Sequence, residues 1–289
     1  MIVWGWLVTL YLFLGGLSGG LFAVASYLFL TGPREYERSI KWISYWAWVA
    51  IAVGIALLVI DLGRAERAIN TMLYPHITSP MSWGSLIIVL FLIVSLAFWL
   101  SFTRVPSRLL GKGIGGAFER MLISLRTPLA LIGAALAFMT GAYTGVLLTY
   151  GRLPAWTTPA LPALFLASAI ATGYSAALSL GHDELERAGV LATSSRVESA
   201  IGILELAAAA AYLATVPPTF RSTLLDLSGP FGLLFTAVFL TIGVFIGEIV
   251  IPLIESRRES GGLTKLSTAL VLLGGLVLRY VVVFAAQAV

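Results

Sequence analysis

Eight stretches of roughly membrane-spanning length hold at most one or two charged side chains each, at approximately 4–30, 42–60, 84–102, 128–149, 160–180, 197–216, 230–252 and 267–287. A hydrocarbon layer about 30 Å thick is crossed by about 20 helical residues at 1.5 Å each, so every one of these stretches reads as a transmembrane helix. In lipid a backbone must satisfy its own hydrogen bonds, which leaves a helix as the form available to a long unpatterned apolar run. Glycine, proline and charged residues separate the runs. The expected fold class is therefore an all-α integral membrane protein with eight transmembrane helices in one membrane domain covering 1–289. The first run has no basic segment ahead of it and is longer than a cleaved leader needs, so it is expected to stay as a helix.

Composition supports the same conclusion by exclusion. Charged residues make up 11% of the chain and apolar ones 59%, against about 25% charged in an ordinary soluble domain. A surface that poor in charge cannot face water. There is no cysteine and there are two histidines, His76 and His182, so this chain by itself offers no disulfide, no iron–sulfur ligation and no zinc finger. His76 falls in an outer loop and His182 at the far end of the fifth span, too far apart to ligate one haem. No metal and no haem is expected, and the basic residues form no nucleic-acid patch.

The lysines and arginines fix a topology. Arg34, Arg38, Lys41, Arg104, Arg108, Lys112, Arg120, Arg126, Arg187, Arg196, Arg257, Arg258 and Lys265 fall on one face; Arg64, Arg67, Arg152 and Arg221 fall on the other, and Arg279 lies inside the last span. Cytoplasmic loops carry the excess of positive charge. The chain is thus expected as a multi-pass protein of the cytoplasmic membrane with both termini outside. The outer face is built by loops 61–83, 150–159 and 217–229, which are rich in proline and read either as stiff docking surfaces or as simple helix ends. Trp4, Trp6, Trp83 and Trp156 near the outer boundary, and Trp42, Trp46, Trp48 and Trp99 near the inner one, read as an aromatic belt. Gly15, Gly16, Gly19 and Gly20 form two overlapping small-residue pairs and read as a helix-packing surface.

Ionisable groups at membrane depth need a partner or a task. Glu205 and Arg279 fall mid-span, Glu248 lies towards the basic face and Asp61 closes the second span near the outer one. Two readings stand side by side. Either Glu205 and Arg279 pair only to fix helix packing, or Asp61, Arg279, Glu205 and Glu248 form a polar ladder that moves protons. Tyr11 and Tyr143 lie in the outer thirds of their helices and, with Asp61, offer hydroxyl and carboxyl groups to a ligand entering from the lipid.

Four stretches together resemble a known family: YLFLGGLSGGLF in the first helix, LLVIDLGRAERAINTMLYPHITSPMSWGSL at the second-span exit, GAYTGVLLTYGRLPAWTTPALPALFLASAIATG at the end of the fourth span, and the terminal LRYVVVFAAQ. The chain resembles the NrfD/polysulfide reductase membrane-subunit family over most of its length. The resemblance implies an eight-helix subunit of a respiratory oxidoreductase, built as two four-helix bundles and not catalytic alone. It implies electron exchange between a membrane quinone, menaquinone or another, and a ferredoxin-like four-cluster iron–sulfur partner. A molybdopterin catalytic subunit on the outer face is implied as well. The family's quinone pocket includes a fourth-helix tyrosine, matched by Tyr143 in GAYTG, and a first-helix histidine whose position is held here by Tyr11. Asp61 of IDLGR is the implied proton-exchange group, and Glu205, Glu248 and Arg279 are compatible with a proton path. The rival readings are a structural membrane anchor without quinone chemistry and a secondary transporter. The transporter reading is disfavoured because the two halves show no matching pair of interrupted helices.

Overall fold

A computed structural model describes residues 4–32, 35–61, 63, 80–151, 153–189, 191–258 and 261–288. The predicted Arg34, Arg64, Arg67, His76 and Arg152 lie outside the described residues. Helix is the regular structure among those described. The elements are α1 (Trp6–Thr31), α2 (Glu37–Asp61), α3 (Pro80–Leu100), α4 (Val105–Leu110), α5 (Gly116–Ser124), α6 (Arg126–Thr149), α7 (Ala160–Arg187), α8 (Leu191–Thr215) and α9 (Pro218–Leu225). A composite α10 follows, running through Pro230–Leu233, a wide π-helical stretch Leu234–Val250, and Ile251–Arg258; α11 (Gly261–Ala288) ends the chain. Among the described residues eight helices are long and apolar enough to cross a membrane: α1, α2, α3, α6, α7, α8, α10 and α11.

These eight pack as two four-helix bundles. One is α1, α2, α3 and α6, the other α7, α8, α10 and α11, and α1 also lies along α7 and α11 at the seam between them. The glycines of α1 make that central position possible. A β-carbon at Gly19 would lie 2.6 Å from the Ala137 carbonyl of α6, and one at Gly20 would lie 2.8 Å from Gly173 Cα of α7. Small residues let two backbones approach where no hydrophobic force between helices is available in lipid.

The end of the molecule away from the basic loops is closed by aromatic side chains. Trp6 and Trp83 are exposed towards the bilayer, as are Trp42 and Trp46 at the other end. Trp156 is different from the belt residue expected of it. It is 1% exposed, donates from Nε1 to Val282 O at 2.8 Å, and stacks on Trp4 with ring centroids 5.4 Å apart. A buried indole needs an acceptor for its N–H, and the α11 backbone supplies one. Gln287 bonds both backbone groups of Trp4, so the two ends of the chain are tied together beneath the 153–159 loop.

At the opposite face, α3 and α6 are joined by a helical hairpin, α4 and α5 with the wide turn Gly111–Gly115 between them. The Ser107 amide donates to Glu119 Oε1 at 3.0 Å and holds the two arms together.

Candidate functional site

Tyr11 and Tyr143 meet where α1, α2, α3 and α6 converge, towards the end of the bundle away from the basic loops. Tyr11 lies five residues into α1, and Tyr143 six residues before the end of α6. The side chain of Tyr11 is fully buried and its hydroxyl has no hydrogen-bond partner. Tyr143 is close enough for the two phenols to interact electrostatically. Beneath Tyr143 lies Gly84, from the SPMSWG segment of α3: any β-carbon there would overlap the phenol ring and hydroxyl. Gly54 of α2 packs beside the first ring, where a β-carbon would lie at ordinary contact distance, 3.5 Å, from Tyr11 Cδ2.

Asp61 stands apart from this pair. It is the last residue of α2 and is exposed. Seven residues separate it from Gly54, which places it on the same helix face but about 10 Å further out.

A second polar assembly lies in the other bundle, and it contains the remaining three predicted residues. Glu205, Glu248 and Arg279 are each at most 2% exposed. The guanidinium of Arg279 rests against α1, where a β-carbon on Gly16 would lie 3.1 Å from its Nη2. It donates to Ser168 Oγ, to Gly275 O at 2.9 Å and to Phe165 O at 3.3 Å. A direct Glu205–Arg279 ion pair, one of the two alternatives read from sequence, is not formed. Ser168 stands between them, within reach of the Glu205 carboxyl, and Glu205 is in turn paired with the Glu248 carboxyl. Glu205 Oε1, Glu248 Oε2 and Arg279 Nε lack hydrogen-bond partners.

The chain of polar groups continues beyond the predicted residues towards the basic face. Glu248 faces Glu198, which accepts from Ser267 Oγ at 3.3 Å and is also bonded to Ser175. Glu198 faces Glu255, whose carboxylate accepts from Thr264 Oγ1. Thr264 Oγ1 lies 3.4 Å from His182 Nδ1, and His182 Nε2 lies 3.9 Å from Glu186, a half-exposed carboxylate at the helix end. From Ser168 to His182 the assembly follows fourteen residues of α7, about 21 Å of rise. Glu198, Glu255, Ser168, Thr264 and His182 were not singled out for this role in the sequence. Spacing carried a usable signal: Glu198 and Glu205 are seven apart on α8, two turns along one face, and Glu248 and Glu255 repeat that spacing.

A cleft of about 610 Å³ opens at the other end of α1, lined by Tyr27, Tyr36 and Tyr174 among others; neither Tyr11 nor Tyr143 borders it. Among the described residues no group of three or more histidine, aspartate or glutamate side chains is placed to hold a metal ion.

The sequence model of the family described as polysulphide reductase, NrfD, matches residues 1–289. The chain belongs to the NrfD family. Its eight apolar helices and this membership make it a multi-pass membrane protein. It is 33% identical to the C component of polysulfide reductase from Wolinella succinogenes, over 62% of this chain and 58% of that one. It is 32% identical to protein NrfD of Escherichia coli, over 61% and 59% respectively. The C component of selenate reductase from Mesobacillus selenatarsenatis is 25% identical over 61% of this chain and 47% of its own length. The matched region thus spans about half to three-fifths of each of these relatives.

Proposed function

We propose that this NrfD-family chain is the membrane subunit of a respiratory reductase complex and exchanges electrons between a membrane quinone and an iron–sulfur partner. The observation that carries the reading is the Tyr11 hydroxyl, buried without a partner beside Tyr143, whose own ring packs directly on Gly84. A buried phenol left unbonded costs about 1–3 kcal/mol, a cost recovered when an acceptor arrives. A quinone carbonyl is an acceptor of the right size and polarity for a site reached from lipid. The relatives' names, which refer to polysulfide and selenate reductases, support a role beside a catalytic subunit.

When bound, the quinone supplies two-electron, two-proton chemistry; the chain supplies position and protons. Tyr11 would donate its O–H to a quinone oxygen, and Tyr143, seated on Gly84, would present the second hydroxyl. Asp61, exposed about 10 Å outward along its helix, exchanges protons with the outer solvent. Electrons pass to a four-cluster iron–sulfur partner, itself joined to a molybdopterin subunit, docked over the outer loops of the cytoplasmic membrane with both termini on that side. Menaquinone is the quinone the resemblance favours. Arg279, Glu205 and Glu248, continued by Glu198, Glu255, Thr264 and His182, form a proton relay that opens towards the basic face and ends about 7 Å inward of Tyr11, five helical residues away at Gly16.

The test is quinol oxidation by the assembled complex, followed by absorbance with a soluble menaquinol analogue. Tyr11→Phe and Tyr143→Phe are each expected to raise KM roughly fivefold, the equivalent of about 1 kcal/mol for one hydrogen bond, while the complex still assembles. Unchanged turnover in the double variant would make the chain a structural anchor and overturn the reading.

A further inference from the structure

The hairpin between α3 and α6 turns its apolar side chains away from the protein. Leu109 and Ile114 are 78% and 76% exposed, the highest values among the exposed large apolar residues described. Neither belongs to a membrane-crossing helix. Ile114, Phe118, Met121 and Leu125 follow one another at intervals of four, three and four, the spacing of a single helical stripe, and all four are exposed. On the other side Leu122 is buried where α5 packs on the ends of α3 and α6, and Pro106 is buried against Gly115 within the hairpin. The stripe is therefore an outward surface, not core.

Cations alternate with it. Arg108, Lys112 and Arg120 are exposed and make no ion pair with another described residue. The segment's one acid, Glu119, is occupied by the Ser107 amide and faces Arg104. Both ends of the hairpin continue directly into membrane-crossing helices, so its distance from the lipid headgroups is set by covalent geometry. The Arg126 guanidinium fixes one of those junctions by lying 4.1 Å over the Phe102 ring while bonding Ser101.

We infer that the segment 104–125 lies in the membrane interface and binds anionic phospholipid headgroups, with the Ile114–Leu125 stripe among the upper acyl carbons and Arg108, Lys112 and Arg120 on the phosphates. An amphipathic helix with a basic polar face has this resting place, and cationic side chains beside a membrane attract acidic lipids. A protein partner fits the surface less well, because the apolar residues form an exposed stripe on a segment tethered at both ends to membrane-crossing helices.

The chain has no cysteine, so Leu109→Cys and Met121→Cys variants each carry one environment-sensitive label. The full chain is reconstituted in phosphatidylcholine vesicles containing phosphatidylglycerol, with a spin-labelled form of one lipid or the other at equal mole fraction. Quenching is expected to be several-fold stronger from spin-labelled phosphatidylglycerol. The Arg108→Gln/Lys112→Gln/Arg120→Gln variant is expected to lose that preference while keeping a lipid-shielded label. Equal quenching by both lipids in the chain with its native charges, a measurement that needs no charge variant to fold, would overturn the inference. So would free quenching by aqueous iodide. A label shielded in native membranes but open to iodide in lipid-only vesicles would assign the surface to a protein and equally overturn it.

Discussion

At Tyr11 stability and function pull in opposite directions. A hydroxyl buried without a partner destabilises the fold, so Tyr11→Phe is expected to leave the quinone-free protein as stable as before or more stable, by up to about 1–3 kcal/mol. The same change removes the donor proposed for a quinone oxygen. Thermal unfolding and quinol turnover measured on one preparation should therefore diverge; a fall in both would mark Tyr11 as an ordinary core residue. Gly84→Ala tests the neighbouring position without touching a polar group. Its methyl would occupy the volume of the Tyr143 hydroxyl, so turnover should fall much as in Tyr143→Phe while assembly on a gel is retained. Motif resemblance was enough to pick out Tyr143 and the SPMSWG segment separately. Their contact was not legible, because Gly84 and Tyr143 are 59 positions apart and no periodicity in the intervening chain links them. Asp61 was legible as a helix end, but its exposure and its distance from Tyr11 depend on how α1 and α2 are registered against each other, which sequence spacing does not contain.

Among the helices, the apolar runs located all eight spans yet underestimated several at the basic face. The observed α2 begins at Glu37 rather than near 42, α7 continues to Arg187 rather than 180, and α11 begins at Gly261 rather than 267. A run counted by absence of charge stops at the first lysine, arginine or glutamate, whereas a helix continues through the headgroup layer where those side chains are solvated. That extra turn matters at α2 and α7. The Ser39 amide and hydroxyl both donate to Glu184, at 2.7 and 2.5 Å, a contact made entirely of residues beyond the apolar runs. The glycine-rich face of α1 was readable, and its consequence is testable: Gly20→Val places bulk against Gly173 and should destabilise the seam between the bundles by about 1–3 kcal/mol, seen as a lower unfolding temperature in detergent. The glutamate chain was half readable, since mid-span charges stand out and those near span ends do not. Glu205→Gln and Glu198→Gln keep shape and hydrogen-bonding capacity while removing a titratable group. Each is expected to slow proton uptake from the basic side of proteoliposomes by roughly tenfold or more, with quinol oxidation in detergent much less affected. If neither variant changes proton uptake, the buried carboxyl groups serve packing alone. Outside the spans, Glu119 has its carboxyl held below the ordinary glutamate value of 4.5 by the Ser107 hydroxyl and amide. A lowered value stabilises the hairpin above the unfolded pKa, and that contribution is lost as pH falls through the folded one. Deuterium exchange over 105–110 should thus quicken in acid, and Glu119→Gln should remove that dependence.

For the molecule as a whole, the arrangement of charge and the arrangement of chemistry point the same way. Among the described residues, the lysines and arginines between the spans gather mainly on the face where the carboxylate chain reaches His182 and where the hairpin lies, and the tyrosine pair sits towards the other. If positive charge marks the cytoplasm, the proposed relay takes up protons from inside, the proposed quinone site lies near the outside, and the proposed iron–sulfur partner would meet the cap formed by Trp4, Trp156 and Gln287. Reversal of the chain in the membrane would exchange every one of these roles, so orientation is the property to measure first. The absence of cysteine makes this direct. Thr157 and Ser228 are exposed in the loops 150–159 and 217–229, and Lys112 and Gly189 are exposed at the other end. In intact cells a membrane-impermeant maleimide should label Thr157→Cys and Ser228→Cys, and should reach Lys112→Cys and Gly189→Cys only after lysis. Labelling in the reverse order would leave the NrfD fold intact and place both the quinone pocket and its electron acceptor on the cytoplasmic side. Mixed labelling at either pair would mean that the span count, and with it the alternation of the loops, has to be redrawn.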